Sequence, residues 1–128
     1  MKTRFGATEY EIAEGAGVLV DVVRSSACGP RGAAPAVLLV APPPLATLTG
    51  RAERDPDAFE GFETMCRDAL ETSRDFARQF DRVASVRRVG FLDAARSVET
   101  SAIDGVHWPL AGHDAFGRAV AVAVRDAG

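Results

Sequence analysis

The feature that most constrains the fold is a short, continuous apolar run, Ala36-Val37-Leu38-Leu39-Val40-Ala41, which Pro42-Pro43-Pro44 ends abruptly. The run lacks apolar–polar alternation, which is typical of a strand covered on both faces and therefore of a central strand in a parallel sheet. Because proline cannot donate a hydrogen bond to a neighbouring strand, the three prolines predict where this strand ends.

The rest of the chain combines helical patterns with one further strand. Apolar residues at helical spacing predict helices over residues 7–24, 58 to about 83 and 109–125, and a second short buried strand is predicted over 89–92. Helices that alternate with strands imply a parallel sheet, so the predicted fold is α/β, with three layers and flavodoxin-like winding. Two strands alone leave unpaired edges, which indicates part of a larger doubly wound domain.

The helical spacing also predicts which faces lie in the core. On the first helix the predicted stripe is Ile12, Gly15/Ala16, Leu19, Val20 and Val23, and on the last it is Phe116, Ala119, Val120, Ala123 and Val124. On the middle helix the stripe runs from Phe62 to Phe80. Residues 25–35, 47–57 and 93–109 are expected to be loops.

Composition excludes several classes of protein. The 128 residues are 47% apolar and 26% charged, which is typical of a folded globular domain and not of a disordered chain. A net charge of −3 with dispersed basic residues argues against nucleic-acid binding, and no apolar stretch is long enough to span a membrane. Cys28 and Cys66 follow no metal or redox spacing, and the first residues lack the apolar stretch of a secretory signal, so we expect a reduced, cytoplasmic setting.

The loop Asp104-Gly105-Val106-His107, which leads into the last helix, could carry chemistry. In open α/β sheets, ligands bind beyond the carboxyl ends of the strands, where connectivity places this loop. The spacing across a glycine allows the Asp104 carboxylate to hold Nδ1–H of His107 and leave Nε2 free as a general base. The alternative is a solvated Asp-Gly turn in which Asp104 caps backbone amides and His107 is merely exposed.

The other candidate residues carry weaker signals. Trp108 either lines an acyl or alcohol pocket or simply packs, and Asp93 either steers substrate or, as we favour, caps the loop that follows it. His113 has no third ligand at a metal spacing, so a surface position is favoured. Ser97 and Ser101 share the loop with Asp104, but neither lies on a nucleophile-elbow pattern.

Three blocks of sequence resemble blocks of the SGNH/GDSL hydrolases, and are closest to the arylesterase and acyltransferase branch. They are the strand with its proline run at 37–45, the strand at 89–94, and the Asp-x-x-His block that precedes the last helix. The resemblance implies a serine esterase or acyltransferase acting on small acyl esters, without a metal or organic cofactor. It also implies that Asp104 orients His107 and that His107 is the general base of a Ser-His-Asp triad.

The resemblance further implies residues that this chain lacks. In that family the nucleophilic serine lies in a Gly-Asp-Ser-type block, and oxyanion donors include a glycine in a second block and an asparagine in a Gly-x-Asn-Asp block. The 128 residues contain no Gly-Asp-Ser and no asparagine. We therefore expect residues 1–128 to be the C-terminal part of a single SGNH-type domain, with Met1 internal to a longer parent, and to be inactive or nearly so alone.

A competing hypothesis is a non-catalytic α/β module. A sheet with an exposed edge needs cover, which either a homo-oligomer or a separate partner could provide. Neither nucleic acid nor membrane is expected among the partners.

Overall fold

The computed structural model describes residues 6–46, 69–101 and 103–126. We name the elements in chain order: α1 (Glu9–Ser25), β1 (Leu38–Ala41), α2 (Phe76–Arg87), β2 (Gly90–Asp93) and α3 (Leu110–Asp126). Short 3-10 turns lie at Pro30–Gly32 and Ala94–Arg96, and residues 69–74 form a helical stretch that leads into α2. None of the helices within these ranges is long and apolar enough to cross a membrane.

The two strands pair in parallel, which confirms the predicted sheet. Leu38 lies opposite Gly90, and the register continues to Ala41 opposite Asp93. Helices flank the sheet: α1 and α2 pack against each other, α2 contacts both strands, and α3 contacts β2. The α/β fold class is therefore as the alternation of elements predicted.

The core lies between α1, α2 and one face of the sheet. Phe76 and Phe80 of α2 are 2% and 6% exposed, and their ring centroids are 5.9 Å apart. Burying an aromatic side chain of this size contributes about 1.5–3 kcal/mol, so this pair is a main source of stability. The buried cluster comprises Ala13, Val20, Leu39, Ala41, Phe76, Phe80, Val83 and Ala84.

Both strands are less buried than the apolar runs predicted. β1 begins at Leu38 and alternates: Leu39 and Ala41 are buried, whereas Leu38 and Val40 are only half-buried. All four residues of β2 are half-buried, although this strand was expected to be buried. Among the described residues, α1 and α2 pack against Leu39 and Ala41, whereas α3 makes few contacts with β2.

The buried face of α1 also differs from the predicted stripe. The residues that face the core are Ala13, Gly17 and Val20, whereas Leu19 is 66% exposed and Val23 is 37% exposed. α1 is oriented so that Gly17 faces α2, and a Cβ at this position would meet the guanidinium of Arg87 where it now lies. The apolar face of α1 is thus wider than the part of it that packs against other described residues.

The other two helices differ from prediction at their ends and faces. Residues 47–68, with the predicted loop, Cys66 and the start of the Phe62 stripe, lie outside the described residues. The described part of the middle helix is interrupted by a turn at Asp75. It ends at Arg87, whereas the prediction placed its end near residue 83. On α3, Val124 is 57% exposed and the rest of the predicted core face, from Phe116 to Ala123, is only half-buried, because α3 packs mainly against β2.

Ion pairs join α1 to α2 beside Gly17. Arg87 pairs with Glu14 at 3.2 Å and with Asp21 at 3.1 Å, and Arg82 pairs with Glu14 at 2.6 Å. The Arg87 side chain is only 16% exposed, so its guanidinium is held between the helices. A Cβ at Gly17 would lie 2.5 Å from Cζ of Arg87, which is closer than nonbonded carbon atoms approach, so the Arg87 side chain would have to move.

Alanine substitutions at two glycines of α1 test this packing. Gly15 has no heavy atom within 4 Å of a Cβ built on it, so Gly15→Ala is expected to stabilise the fold by about 0.5–1 kcal/mol through helix propensity. Gly17→Ala gains the same propensity but displaces Arg87, so we expect it to be about 1–2 kcal/mol less stable than Gly15→Ala. Urea denaturation measures both, and Gly17→Ala should become stabilising in an Arg87→Ala background. Equal effects in the wild-type background would contradict this packing.

Candidate active site

Asp104 and His107 lie in a loop that is tied to the end of β1. We call the edge at which both strands end the carboxyl edge. There the backbone N–H of Ala46 donates to the carbonyl of Gly105 at 3.1 Å, and the Thr100 hydroxyl donates to the carbonyl of Pro44 at 3.0 Å. Because β1 and β2 are parallel, the segments that follow them meet at this edge.

Backbone hydrogen bonds hold the loop in a compact shape. The N–H of Gly105 donates to the carbonyl of Ser101, and the N–H of Ser101 donates to the carbonyl of His107, both at 2.7 Å. Gly105 is buried and has a φ of +72°, a left-handed conformation that L side chains rarely adopt. Glycine is therefore needed between Asp104 and His107 for the chain to turn back.

The Asp104 carboxylate accepts hydrogen bonds from its own loop. Oδ1 accepts from the backbone N–H groups of Val106 at 2.9 Å and His107 at 2.8 Å, and Oδ2 lies 3.0 Å from Nδ1 of His107. The backbone hydrogen bonds from Val106 and His107 lower the pKa of Asp104 to about 2, against an opposing effect of burial, and the His107 side chain adds to the lowering. The carboxylate therefore stays ionised near neutral pH.

The His107 ring is oriented but open. Its side chain is 84% exposed, whereas that of Asp104 is 28% exposed. When the neutral ring carries its proton on Nδ1, facing Asp104, Nε2 has a free lone pair directed away from the carboxylate. The two interpretations of this loop are thus compatible, because Asp104 caps backbone amides with one oxygen and holds the imidazole with the other.

The remaining predicted candidates lie nearby in other roles. Asp93 accepts a hydrogen bond from the backbone N–H of Ala95 at 3.0 Å, which confirms that it caps the following turn. The Trp108 ring packs edge-on against Phe116 at 5.0 Å and lies 5.4 Å from the ring of His113. Across residues 6–46, 69–101 and 103–126, no cluster of three His, Cys, Asp or Glu side chains could hold a metal ion.

No serine hydroxyl meets His107 in the described parts of the chain. Ser101 Oγ accepts from the backbone N–H of Ile103 at 3.1 Å, within the loop itself. Ser25 and Ser26 donate to backbone carbonyls at the end of α1, beside the amino ends of the strands. The structure thus brings together an aspartate and a histidine at the carboxyl edge.

Two residues that support the carboxyl edge were not among the predicted site residues. The buried Ser73 hydroxyl accepts from the backbone N–H of Leu45 at 3.0 Å and donates to the carbonyl of Leu70 at 2.9 Å. A polar residue within an apolar helical stripe was a signal that could have identified Ser73. Thr100, whose hydroxyl binds Pro44, carries no comparable signal because its partner is distant in sequence.

An apolar groove of about 440 Å³ opens beside the Asp104–His107 loop. We call it the α1 groove. It lies between α1, the segment that follows β1, and the two residues that flank His107. Its lining residues are Ala7, Glu11, Ile12, Gly15, Ala16, Leu19, Pro42, Pro43, Leu45, Phe76, Phe80, Thr100, Val106 and Trp108.

Solved structures of bacterial esterases are similar to this chain. Est24, a carbohydrate acetylesterase from Sinorhizobium meliloti, is 35% identical with a TM-score of 0.81, and the match covers 96% of this chain and 54% of Est24. The aryl esterase of M. smegmatis is 32% identical with a TM-score of 0.82, covering 98% of this chain and 55% of that enzyme. A second carbohydrate acetylesterase family member from Sinorhizobium meliloti is 28% identical with a TM-score of 0.77, covering 92% and 52%.

This chain therefore spans about half the length of the esterases that it resembles. No protein-family profile matches the sequence, and no curated protein is significantly similar to it.

The low pKa of Asp104 predicts a pH-dependent contribution to stability. A carboxyl whose folded pKa lies near 2, below its ordinary value of 3.8, stabilises the fold above that ordinary value and loses its effect as the pH falls towards 2. Asp104→Ala is therefore expected to cost about 1–2 kcal/mol at pH 6 and progressively less between pH 4 and pH 2.

Urea denaturation of both proteins across this pH range measures the difference. Asp114→Ala, which removes an exposed carboxylate paired with Arg118, is the matched control and should cost no more than about 0.5 kcal/mol. A cost for Asp104→Ala that stays constant from pH 6 to pH 2 would be inconsistent with the hydrogen bonds described.

The Asp104–Nδ1 contact also predicts which ring nitrogen of His107 carries the proton. In the neutral imidazole we expect Nδ1 to be protonated and Nε2 to be free, because the carboxylate accepts from Nδ1. Long-range proton–nitrogen NMR correlations distinguish the two nitrogens, and the signals should change in Asp104→Ala. A neutral His107 protonated on Nε2 would contradict the assignment.

Proposed function

We propose that this chain is the C-terminal portion of an SGNH/GDSL hydrolase domain and that it supplies the Asp–His half of a serine esterase active site. The observation that carries the proposal is the 3.0 Å contact between Asp104 Oδ2 and His107 Nδ1 at the carboxyl edge. The similarity to a carbohydrate acetylesterase and an aryl esterase supports the reaction class.

In the proposed reaction His107 transfers protons while Asp104 remains ionised. Nε2 accepts the proton of a serine hydroxyl as its Oγ bonds to the ester carbonyl carbon, and the resulting imidazolium is stabilised by the Asp104 carboxylate. The imidazolium then returns the proton to the departing alkoxide as the ester C–O bond breaks. Water, activated in the same way by Nε2, releases the acid and regenerates the serine; an alcohol in its place would give acyl transfer.

The low pKa of Asp104 suits this role. A carboxylate that accepts two backbone hydrogen bonds is fixed in position and does not take the proton from the imidazole. It fixes the ring orientation and compensates the charge that forms when Nε2 is protonated. The proposed reaction uses no metal or organic cofactor.

The substrate class that we propose is small acyl esters. Trp108 follows His107 directly and lines the α1 groove. We therefore assign its ring to contact the ester. The nucleophilic serine and the glycine and asparagine oxyanion donors come from outside this chain, which contains no Gly-Asp-Ser and no asparagine. The chain alone is therefore expected to hydrolyse esters no faster than buffer with an unrelated protein.

A covalent fusion tests this proposal. The segment of Est24 that this chain does not match is joined to the amino terminus of the chain, and hydrolysis of p-nitrophenyl acetate is measured. We expect the fusion to be active, to lose at least about a thousandfold of kcat/KM in His107→Ala, and to lose about a hundredfold or more in Asp104→Asn.

The second histidine of the chain provides the matched control. His113→Gln removes an exposed imidazole on α3 and should leave the activity of the fusion near that of the parent. A folded fusion that is inactive, or a His107→Ala fusion that keeps its activity, would overturn the proposed role of the Asp–His pair.

A further inference from the structure

Trp108 joins the Asp104–His107 loop to α3. It follows His107 directly and lies two residues before Leu110, where α3 begins. Its side chain is half-buried, and it is the single tryptophan of the 128 residues. The indole is therefore held between a loop that carries an oriented imidazole and the first turns of a helix.

Two rings of α3 contact the indole. The ring centroid of Phe116 lies 5.0 Å away at an interplanar angle of 70°, and that of His113 lies 5.4 Å away at 43°. Aromatic pairs prefer such edge-to-face arrangements, which stabilise them beyond the area that they bury. Because Phe116 is half-buried whereas His113 is exposed, Phe116 provides the better-shielded support.

These contacts occur at helix positions that commonly fix how a chain enters a helix. The carbonyl of Pro109 accepts from the backbone N–H of His113 at 3.3 Å, so Pro109 caps α3 and Trp108 is the residue before the cap. Packing of that residue against the fourth residue of the helix, here His113, is the position of a hydrophobic staple. Phe116 follows three residues later on the same face and extends the staple by one turn.

Phe116 belongs to a helix whose start is closely packed. Gly112, one turn before Phe116, is buried, and a Cβ built on it would lie 3.1 Å from Cγ1 of Val98. Val98 is 3% exposed and lies in the segment that follows β2. The first turn of α3 is therefore fixed against the segment after the sheet, and Phe116 supports the indole from a fixed element.

The orientation of the indole matters because the ring lines the α1 groove. Trp108 and Val106 contribute to that lining on either side of His107. A half-buried side chain that loses a packing neighbour exchanges among its staggered rotamers. Each rotamer that turns the indole away from the groove lowers the fraction of molecules in the binding-competent arrangement and weakens binding by that fraction.

We propose that Phe116 is a positioning residue: it holds the indole of Trp108 edge-on and so keeps that ring in the orientation in which it contacts the ester beside His107. Phe116 is not among the residues that line the groove, so it acts through Trp108. The inference rests on the proposed function for the role of the ester. The support of the indole by Phe116 does not depend on that function.

The single tryptophan gives a direct readout of ring orientation in the chain itself. Phe116→Leu is expected to lower the fluorescence anisotropy of Trp108 and to weaken the tryptophan bands in near-ultraviolet circular dichroism. Phe116→Tyr keeps the ring and should keep both signals. Phe91→Leu is the matched control, because Phe91 is half-buried on β2 against the core cluster; it should lower the Tm and leave the tryptophan signals unchanged.

The covalent fusion described above tests the consequence for the ester. With p-nitrophenyl acetate, Phe116→Leu should raise KM about threefold to tenfold and leave kcat within about twofold, because the indole contributes to binding and not to proton transfer. Phe116→Tyr should restore KM, and Phe91→Leu should leave both constants near those of the parent fusion.

The outcomes separate this inference from the proposed function. Unchanged tryptophan signals in Phe116→Leu, or equal changes in Phe116→Leu and Phe91→Leu, would overturn the support of the indole by Phe116. An active Phe116→Leu fusion with the KM of its parent would overturn the effect on the ester and leave the proposed function intact. An inactive parent fusion would instead overturn the proposed function, and the role of Phe116 towards the ester with it.

Discussion

Parallel pairing of β1 with β2 is the constraint on which the rest of the structure depends. It directs the segments after both strands to one edge, where the Ala46–Gly105 and Thr100–Pro44 hydrogen bonds join them. The Asp104–His107 loop is thereby fixed to the sheet, although the contact between the two side chains is itself local. An antiparallel arrangement would place the ends of the two strands at opposite edges and leave this loop without support.

Several apolar side chains on α1 are exposed. Within residues 6–46, 69–101 and 103–126, two helices pack a core against the sheet, β1 pairs with β2 alone, and Val18, Leu19 and Val22 of α1 are exposed. The exposed side chains of α1 lie beside the α1 groove, which Val106 and Trp108 line on either side of His107. The chain spans about half the length of the esterases to which it is similar.

How far the sequence could predict the structure depends on how far apart in the chain the interacting residues lie. The Asp104–His107 contact spans three residues across a glycine, so its geometry followed from the local pattern. The orientation of α1 did not, because helical periodicity locates an apolar arc but not the part of it that a neighbour covers. Leu19 was predicted to be buried and is 66% exposed, since the buried face of α1 is formed by Ala13, Gly17 and Val20 instead.

The sequence by itself determined the alternation of helices and strands, the parallel sheet, and the contact between Asp104 and His107, because each rests on periodicity, chain connectivity or a short loop. Tertiary structure alone decided which faces are buried, how Ser73 and Thr100 brace the carboxyl edge, and where the α1 groove opens. The physical reason is that these features depend on contacts between residues far apart in the chain. Such contacts are fixed by the free energy of the whole packed arrangement and not by any one segment.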